Sequence, residues 1–222
     1  MNLAQLITTF NEALVDTDRD RALRVLDEAT HNGLTPEEVV FEAIIPALEQ
    51  LGTAFGAGRE LNLAQHFLTS QIAAAATEEM VARFQQSPET VGRIVIGCAQ
   101  GDLHTLGKRI VMGCLRAQMI ECVDLGVNVT PERFVDEAVA RQASVIAISA
   151  MMVHTALGED GCLRVRRILA QRRLERRIKI LVGGAPFRFS PELCQRVQAD
   201  AWAEDGLKAG PVIAELIQGT RP

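Results

Sequence analysis

The stretch GDLHTLGK, Gly101 to Lys108, sets a carboxylate two residues before an imidazole and follows both with a glycine. A carboxylate within hydrogen-bond reach of a histidine fixes which ring nitrogen carries the proton. The other nitrogen is then free to ligate a metal with raised basicity. The same pair also serves as an oriented general base, and two such residues also occur as solvated loop neighbours. Asp102, His104 and Gly107 alone leave all three open. Further along, Ser149 closes the apolar run SVIAIS, Thr155 follows soon after, and Gly183-Gly184 closes IKILVGG. A hydroxyl at a strand end and a glycine pair that lets backbone approach a bulky ligand are the parts of a deep slot, with Gly101 and Gly107 bracketing a histidine at its mouth.

These residues need strands to bring them together, and the second half of the chain supplies them. RIVIGC, IECVDLG, SVIAIS, IKILVGG and ADAWAE are short β-rich runs separated by helical segments. Such alternation predicts a parallel five-stranded sheet covered on both faces, in a doubly wound, flavodoxin-like α/β fold. Ligands of such sheets sit beyond the carboxyl ends of the strands, which is where the named residues fall. Before about Gln86 the period is helical instead. Leu3, Leu6, Ile7, Phe10 and Leu14 share a face, and DRDRALRVLDEAT repeats the pattern up to Asn32-Gly33. Thr35, with Pro36 after it and Glu38 three residues on, reads as a capping box. A long alanine-rich helix is predicted from Asn62 to Phe84. Four helices with short connections make an antiparallel four-helix bundle. QQSPETVG reads as a linker, giving an all-α domain over 1–86 and an α/β domain over 90–222.

Composition sets the remaining bounds. The 222 residues carry a net charge of −5, with 48% hydrophobic and 23% charged residues. An acidic balance argues against broad binding to nucleic acid or an anionic membrane. The basic stretch RVRRILAQRRLERRIK reads as the solvated face of an amphipathic helix, with a dock for an acidic partner as the lesser reading. Five cysteines with no CxxC pair fit a reducing compartment. Neither a signal peptide nor a run long enough to span a membrane is apparent, so the expected location is the cytoplasm.

The motifs GDLHTLGK, SAM and VGG, taken in order, resemble those of the cobalamin-binding corrinoid proteins of methyltransferase systems, where Asp-x-His-x-x-Gly, Ser-x-Leu and Gly-Gly stand. The resemblance spans nearly the whole chain, because that family also carries an N-terminal helical cap like that of methionine synthase. It implies that His104 is the lower axial ligand of cobalt in place of the cofactor's own base. Asp102 then bonds the ring's other nitrogen, and Thr155 stands where methionine synthase has a serine completing the relay. These three are the implied catalytic residues. Ser149 would bond the displaced base and Gly183-Gly184 would flank the nucleotide tail. Gly101, Leu103, Thr105, Leu106 and Gly107 of the motif, Met151, Val153 and Glu204 complete the implied cofactor contacts. Met151 replaces the leucine of Ser-x-Leu, a volume-conserving change, while Val153 occupies a position that holds a threonine in methionine synthase. Reduction of the cobalt is expected to release His104, which then takes up a proton favoured by Asp102.

The resemblance also places the turn and helix start FGAGRELNLAQHF over the upper face of the corrin, with Leu61 or Phe67 as an apolar lid. His66 reads as a polar residue near a helix start, with a group facing the cobalt or its methyl as the alternative. Phe55 followed by Gln65-His66 is partly similar to light-sensing cobalamin proteins, which have tryptophan and Glu-His. The implied function is a corrinoid methyl carrier, a non-autonomous methyltransferase subunit of one-carbon metabolism with methylcobalamin or a related corrinoid. It would work between a substrate-specific methyltransferase and an acceptor methyltransferase using a pterin or a thiol, with a reductive activase as a further partner. No nucleic-acid or membrane partner is expected. A cobalamin-dependent light or redox sensor is the alternative, set back by the lack of a DNA-binding module before the cap. The small subunit of an adenosylcobalamin mutase ranks lower, because it normally lacks the cap.

Overall fold

The structure, a computed structural model, describes residues 2–56, 62–84 and 90–220, with residues 53–56 described by backbone alone. Its chain divides into two compact units. One comprises Met1–Glu89 with Gly113–Met119, and the other Thr90–Met112 with Ile120–Pro222.

The first unit is helical. Helix α1 (Leu3–Val15) opens on a capping box between Asn2 and Gln5. Helix α2 (Arg19–His31) is capped by Asp18 and closes at Asn32, with Gly33 at φ +103. Thr35 and Glu38 form the expected box: the Thr35 hydroxyl accepts from Glu38 N–H at 3.1 Å, and Glu38 accepts from Thr35 N–H at 2.8 Å. From there α3 (Pro36–Glu38) runs through a π-helical stretch, Val39–Ile44, into α4 (Ile45–Gly56). The wide turn has a local cause. Pro46 has no N–H, and its ring crowds the carbonyl one turn back. The preceding residue, Ile45, donates instead to Val40, five residues earlier. Helix α5 (Leu63–Val81) is capped by Asn62 and ends three residues short of the expected Phe84. Leu6, Phe10, Leu14, Leu26, Ile44, Leu48 and Met80 are fully buried and form this unit's core.

The second unit, to which α6 (Leu106–Ala117) belongs only as far as Met112, alternates strand and helix. Its elements are β1 (Gly92–Cys98), α6 (Leu106–Ala117), β2 (Ile120–Asp124), α7 (Pro131–Ala140), β3 (Val145–Ser149), α8 (Val153–Leu157), α9 (Cys162–Gln171), β4 (Lys179–Gly183), α10 (Ala185–Phe189), α11 (Leu193–Arg196), β5 (Ala201–Ala203) and α12 (Gly206–Gln218). All four strand pairings are parallel, in the order β2-β1-β3-β4-β5. Neighbouring side chains of a strand point to opposite faces. Val95, Ile146, Ile148, Ile180 and Val182 therefore share one face, packed with Phe134, Val165, Leu169 and Phe187. Ile94, Ala147 and Leu181 lie on the other and are also buried. The basic stretch is helical only as far as Gln171; Arg173 takes a left-handed φ of 57° and the chain then leads into β4. Its Arg164 and Arg172 pair with Glu132 and Asp136 of α7, as the solvated-face reading expects.

Candidate cofactor site

The strand order sets the site. β1 and β3 lie side by side, and their outgoing crossovers lead to β2 on one side and β4 on the other. The loops after them diverge there and leave a crevice, the ligand position of doubly wound sheets. The loop after β1 carries Asp102 and His104; the loop after β3 carries Met151 and leads into α8, which carries Thr155.

Asp102 is the centre of the cluster and is 1% exposed. Its Oδ1 accepts from the His104 backbone N–H at 2.9 Å and faces His104 Nδ1 at 2.9 Å. Its Oδ2 accepts from Met151 N–H at 2.5 Å and from the Thr155 hydroxyl at 3.2 Å. Burial pushes this carboxyl up, but the Met151 and His104 donors and the Thr155 hydroxyl together hold it below its ordinary value. A carboxylate so held keeps the proton on His104 Nδ1. The imidazole side chain remains 58% exposed, and with the proton on Nδ1 the ring's lone pair lies on Nε2. Among the described residues no three His, Cys, Asp or Glu side chains gather as a metal site. One exposed imidazole, held at Nδ1 by a carboxylate, can supply a single nitrogen to a metal that brings other ligands with it.

The surroundings fit a large, flat, partly apolar group. Leu103 and Val153, at 68% and 57% exposure, stand open with Leu106, Met151 and Met152 on the two loops. Such a patch of apolar side chains marks a binding surface. A Cβ at Gly107 would meet nothing within 4 Å, and one at Gly183 would make only an ordinary contact with Ala203. Neither glycine is demanded by the protein's own packing, which leaves room for a ligand. Gly184 differs: at φ +108 a Cβ would collide with the Ala150 carbonyl. Gly101 is at φ +80 beside Thr155, and Thr105 accepts from Arg109 N–H at 3.0 Å as α6 begins. Ser149 ends β3 opposite Gly183 of β4.

Three implied contacts belong to other elements. Glu204 follows β5 and is held by Lys208, whose hydrogen bond keeps its carboxyl below the ordinary value. His66 and Phe67 are half-buried in the first turns of α5, in the helical unit. Leu61 lies outside the described residues. The sequence reading gave Met151 a side-chain role and missed that its backbone N–H is the shortest donor to Asp102. No residue pattern announces a backbone donor brought in from another strand.

Comparison with known proteins places these features in a family. Residues 92–209, more than half of the chain, match the B12 binding domain, and residues 6–83 match a second B12 binding domain model. The chain is 28% identical to dimethylamine corrinoid protein 2 of Methanosarcina acetivorans, over 97% of both chains. Its fold is similar to a cobalamin-binding protein from Desulfitobacterium hafniense DCB-2, with a TM-score of 0.79, 21% identity and coverage of 95% of this chain and 98% of that one. It is also similar to a chain of the methanol:cobalamin methyltransferase complex MtaBC from Methanosarcina barkeri, with a TM-score of 0.72, 20% identity and coverage of 97% and 80%.

Proposed function

Because the chain belongs to the B12 binding domain family, with a cobalamin-type corrinoid as its cofactor, we propose that it is the methyl-carrying corrinoid subunit of a methyltransferase system. The observation that carries this reading is the Asp102–His104 pair at the β1/β3 crevice, with Nδ1 held and the lone pair left on Nε2. When bound, the corrinoid supplies the cobalt centre on which a methyl group is carried; the chain supplies its setting. His104 would hold the cobalt through its imidazole, Asp102 would keep the ring's proton on Nδ1, and Thr155 would steady Asp102. Ser149, Gly183 and Gly184 line the slot for the displaced base and tail, and the exposed apolar side chains keep water from the ring.

The relatives frame the partners. One is named for dimethylamine and another belongs to a methanol:cobalamin methyltransferase complex. The donor proposed on that basis is a small compound with its methyl on nitrogen or oxygen, activated by a separate methyltransferase. An acceptor methyltransferase using a pterin or a thiol, and a reductive activase, complete the proposed system. No described helix is long and apolar enough to cross a membrane, and work in the cytoplasm is part of the proposal. His66 and Phe67 belong to it as well, as upper-face residues of a helical cap that must move to admit each partner.

Two measurements test this. The chain loaded with cobalamin and reduced to divalent cobalt should show nitrogen splitting from one axial imidazole, and His104→Ala should abolish it while retaining the corrinoid. The chain loaded with methylcobalamin should lose its methyl-bound absorption on addition of an acceptor methyltransferase and its acceptor. An axial-nitrogen signal unchanged in His104→Ala would sink the site, and a spectrum inert to every partner would sink the carrier role.

A further inference from the structure

Lys108 is 2% exposed, yet it belongs to neither the relay nor the slot. It sits in the first turn of α6, one turn after His104. Its ammonium group pairs with Asp124 at the end of β2 and donates to the Gly126 carbonyl at 3.1 Å. Asp124 in turn accepts from Gly126 N–H at 2.8 Å. A buried lysine persists only where its charge is paired and its protons are used, so this contact is a built feature.

The same segment also grips the other end of the ligand loop. Asn128, at a left-handed φ of 52°, turns its side chain so that Oδ1 accepts from Gly101 N–H at 2.8 Å. Its own N–H donates to the Asp102 carbonyl at 3.0 Å. Below them, Cys98 N–H donates to Gly126 and Val129 N–H donates to Cys98, each at 3.0 Å. The Cys98 thiol donates to the His104 carbonyl at 3.3 Å. The loop from Cys98 to Lys108 is thus tied to residues 124–129 before, within and after the Asp102-x-His104 motif.

We propose that Asp124–Val129, the last residue of β2 and the segment after it, is a clamp that sets where the axial histidine stands, with Lys108 and Asn128 as its positioning residues. This rests on the cobalamin-carrier reading above. Asp102 decides the ring's tautomer and orientation, whereas the clamp decides the place of the backbone from which the ring reaches. Geometry looser than a fraction of an ångström weakens a metal bond even when every ligand is present. Loosening the clamp therefore shifts the balance from histidine-on to histidine-off cobalt, while the tail slot still holds the corrinoid.

The test uses the full chain loaded with cobalamin and reduced to divalent cobalt, with the on-to-off ratio read from the axial nitrogen splitting. Lys108→Met keeps the stem and removes the charge. Asn128→Gly keeps the left-handed backbone and removes the acceptor. Each should lower the ratio roughly two- to tenfold, the size of one or two lost hydrogen bonds, with cobalamin retention little changed. Asn128→Asp, which keeps an acceptor oxygen, should restore it. Leu169→Ala on α9, a buried change away from the clamp, serves as the control for general destabilisation. If Lys108→Met does not fold, Asn128→Gly decides, because the site is exposed and glycine adopts its φ freely. A wild-type signal that Asn128→Gly leaves intact, or that Leu169→Ala lowers equally, overturns the clamp alone. A wild-type chain with no axial nitrogen overturns both the clamp and the function beneath it.

Discussion

Gly183 and Gly184 stand side by side at the end of β4 and serve different ends. Gly184 is required by the chain itself, since its φ of +108° and the nearby Ala150 carbonyl exclude any side chain. Gly184→Ala should cost on the order of 3 kcal/mol in the free protein, from strain plus collision, seen as a lowered unfolding midpoint. Gly183 has an ordinary backbone, and a Cβ there would stand 3.4 Å from the Ala203 carbonyl. Gly183→Ala should leave the free protein within about 1 kcal/mol of wild type but weaken cobalamin binding about tenfold, as one methyl group blocks close approach. Equal affinities in a titration of the two proteins would show that the tail does not pass Gly183. Asp102 presents the opposite case, a carboxylate with more donors than an amide can accept. Asp102→Asn must turn its NH2 towards either His104 or Met151, leaving a buried N–H unpaired, at a cost of about 1–3 kcal/mol; chemical denaturation of the two proteins checks this.

At the scale of elements, helix α7 and strand β1 fit through one aromatic ring. Phe134 is 1% exposed, and a Cβ at Gly97 would stand 3.0 Å from its ring. Phe134→Ala should destabilise the second unit by about 3–5 kcal/mol, because the cavity cannot collapse between a rigid strand and helix. A loss below 1 kcal/mol in a denaturant titration would contradict that packing. The Thr35–Glu38 box carries a pH dependence in the first unit. Thr35 N–H and then its hydroxyl hold the Glu38 carboxyl below its ordinary value. The charged form is thus favoured by folding, so its contribution is present above the ordinary carboxylate range and is lost as pH falls through the lowered value. Unfolding midpoints of wild type and Glu38→Gln should differ near neutrality and converge on acidification. A gap that stays constant from pH 6 to 3 would show that the carboxylate charge adds nothing to the cap.

For the whole molecule, the helical unit draws on residues from both sides of Thr90. The compact helical unit includes Gly113–Met119, the end of α6 and the turn after it. Cys114, Leu115 and Ala117 in that segment are fully buried. A fragment from Thr90 onward loses the residues with which this segment clusters. It should melt below the intact chain and bind a hydrophobic dye, although it keeps Asp102, His104 and the slot. A fragment as stable as the intact protein would show that α6 needs no support from the helical unit. The cysteines report on integrity in the same way. Burial pushes the Cys162 thiol up to about 12, so an ordinary thiol reagent at pH 8 should spare it until the chain unfolds. Unfolding frees a thiol that ionises near its usual value, so this group's contribution holds at neutral pH and falls as pH rises beyond about 8.5.

The sequence by itself determined what is local. The helix cap at Thr35, the change of period after the helical half, the five strand runs and the Asp-x-His-x-x-Gly spacing all depend on residues within a few positions of one another. Tertiary structure decided what those residues meet. Asp102 finds Met151 N–H 49 positions away and the Thr155 hydroxyl 53 positions away only because β3 pairs with β1 rather than with β2. Asn128 reaches Gly101 across 27 positions because β2, which precedes it, pairs with the other side of β1. The overrun of α5 and of the basic helix in the sequence reading has a related cause. Apolar spacing persists past the point where backbone hydrogen bonding ends, and Arg173 turns left-handed to direct the chain into β4. Periodicity records which face a residue belongs to, whereas the partner across a parallel crossover is chosen by the packing of the whole sheet.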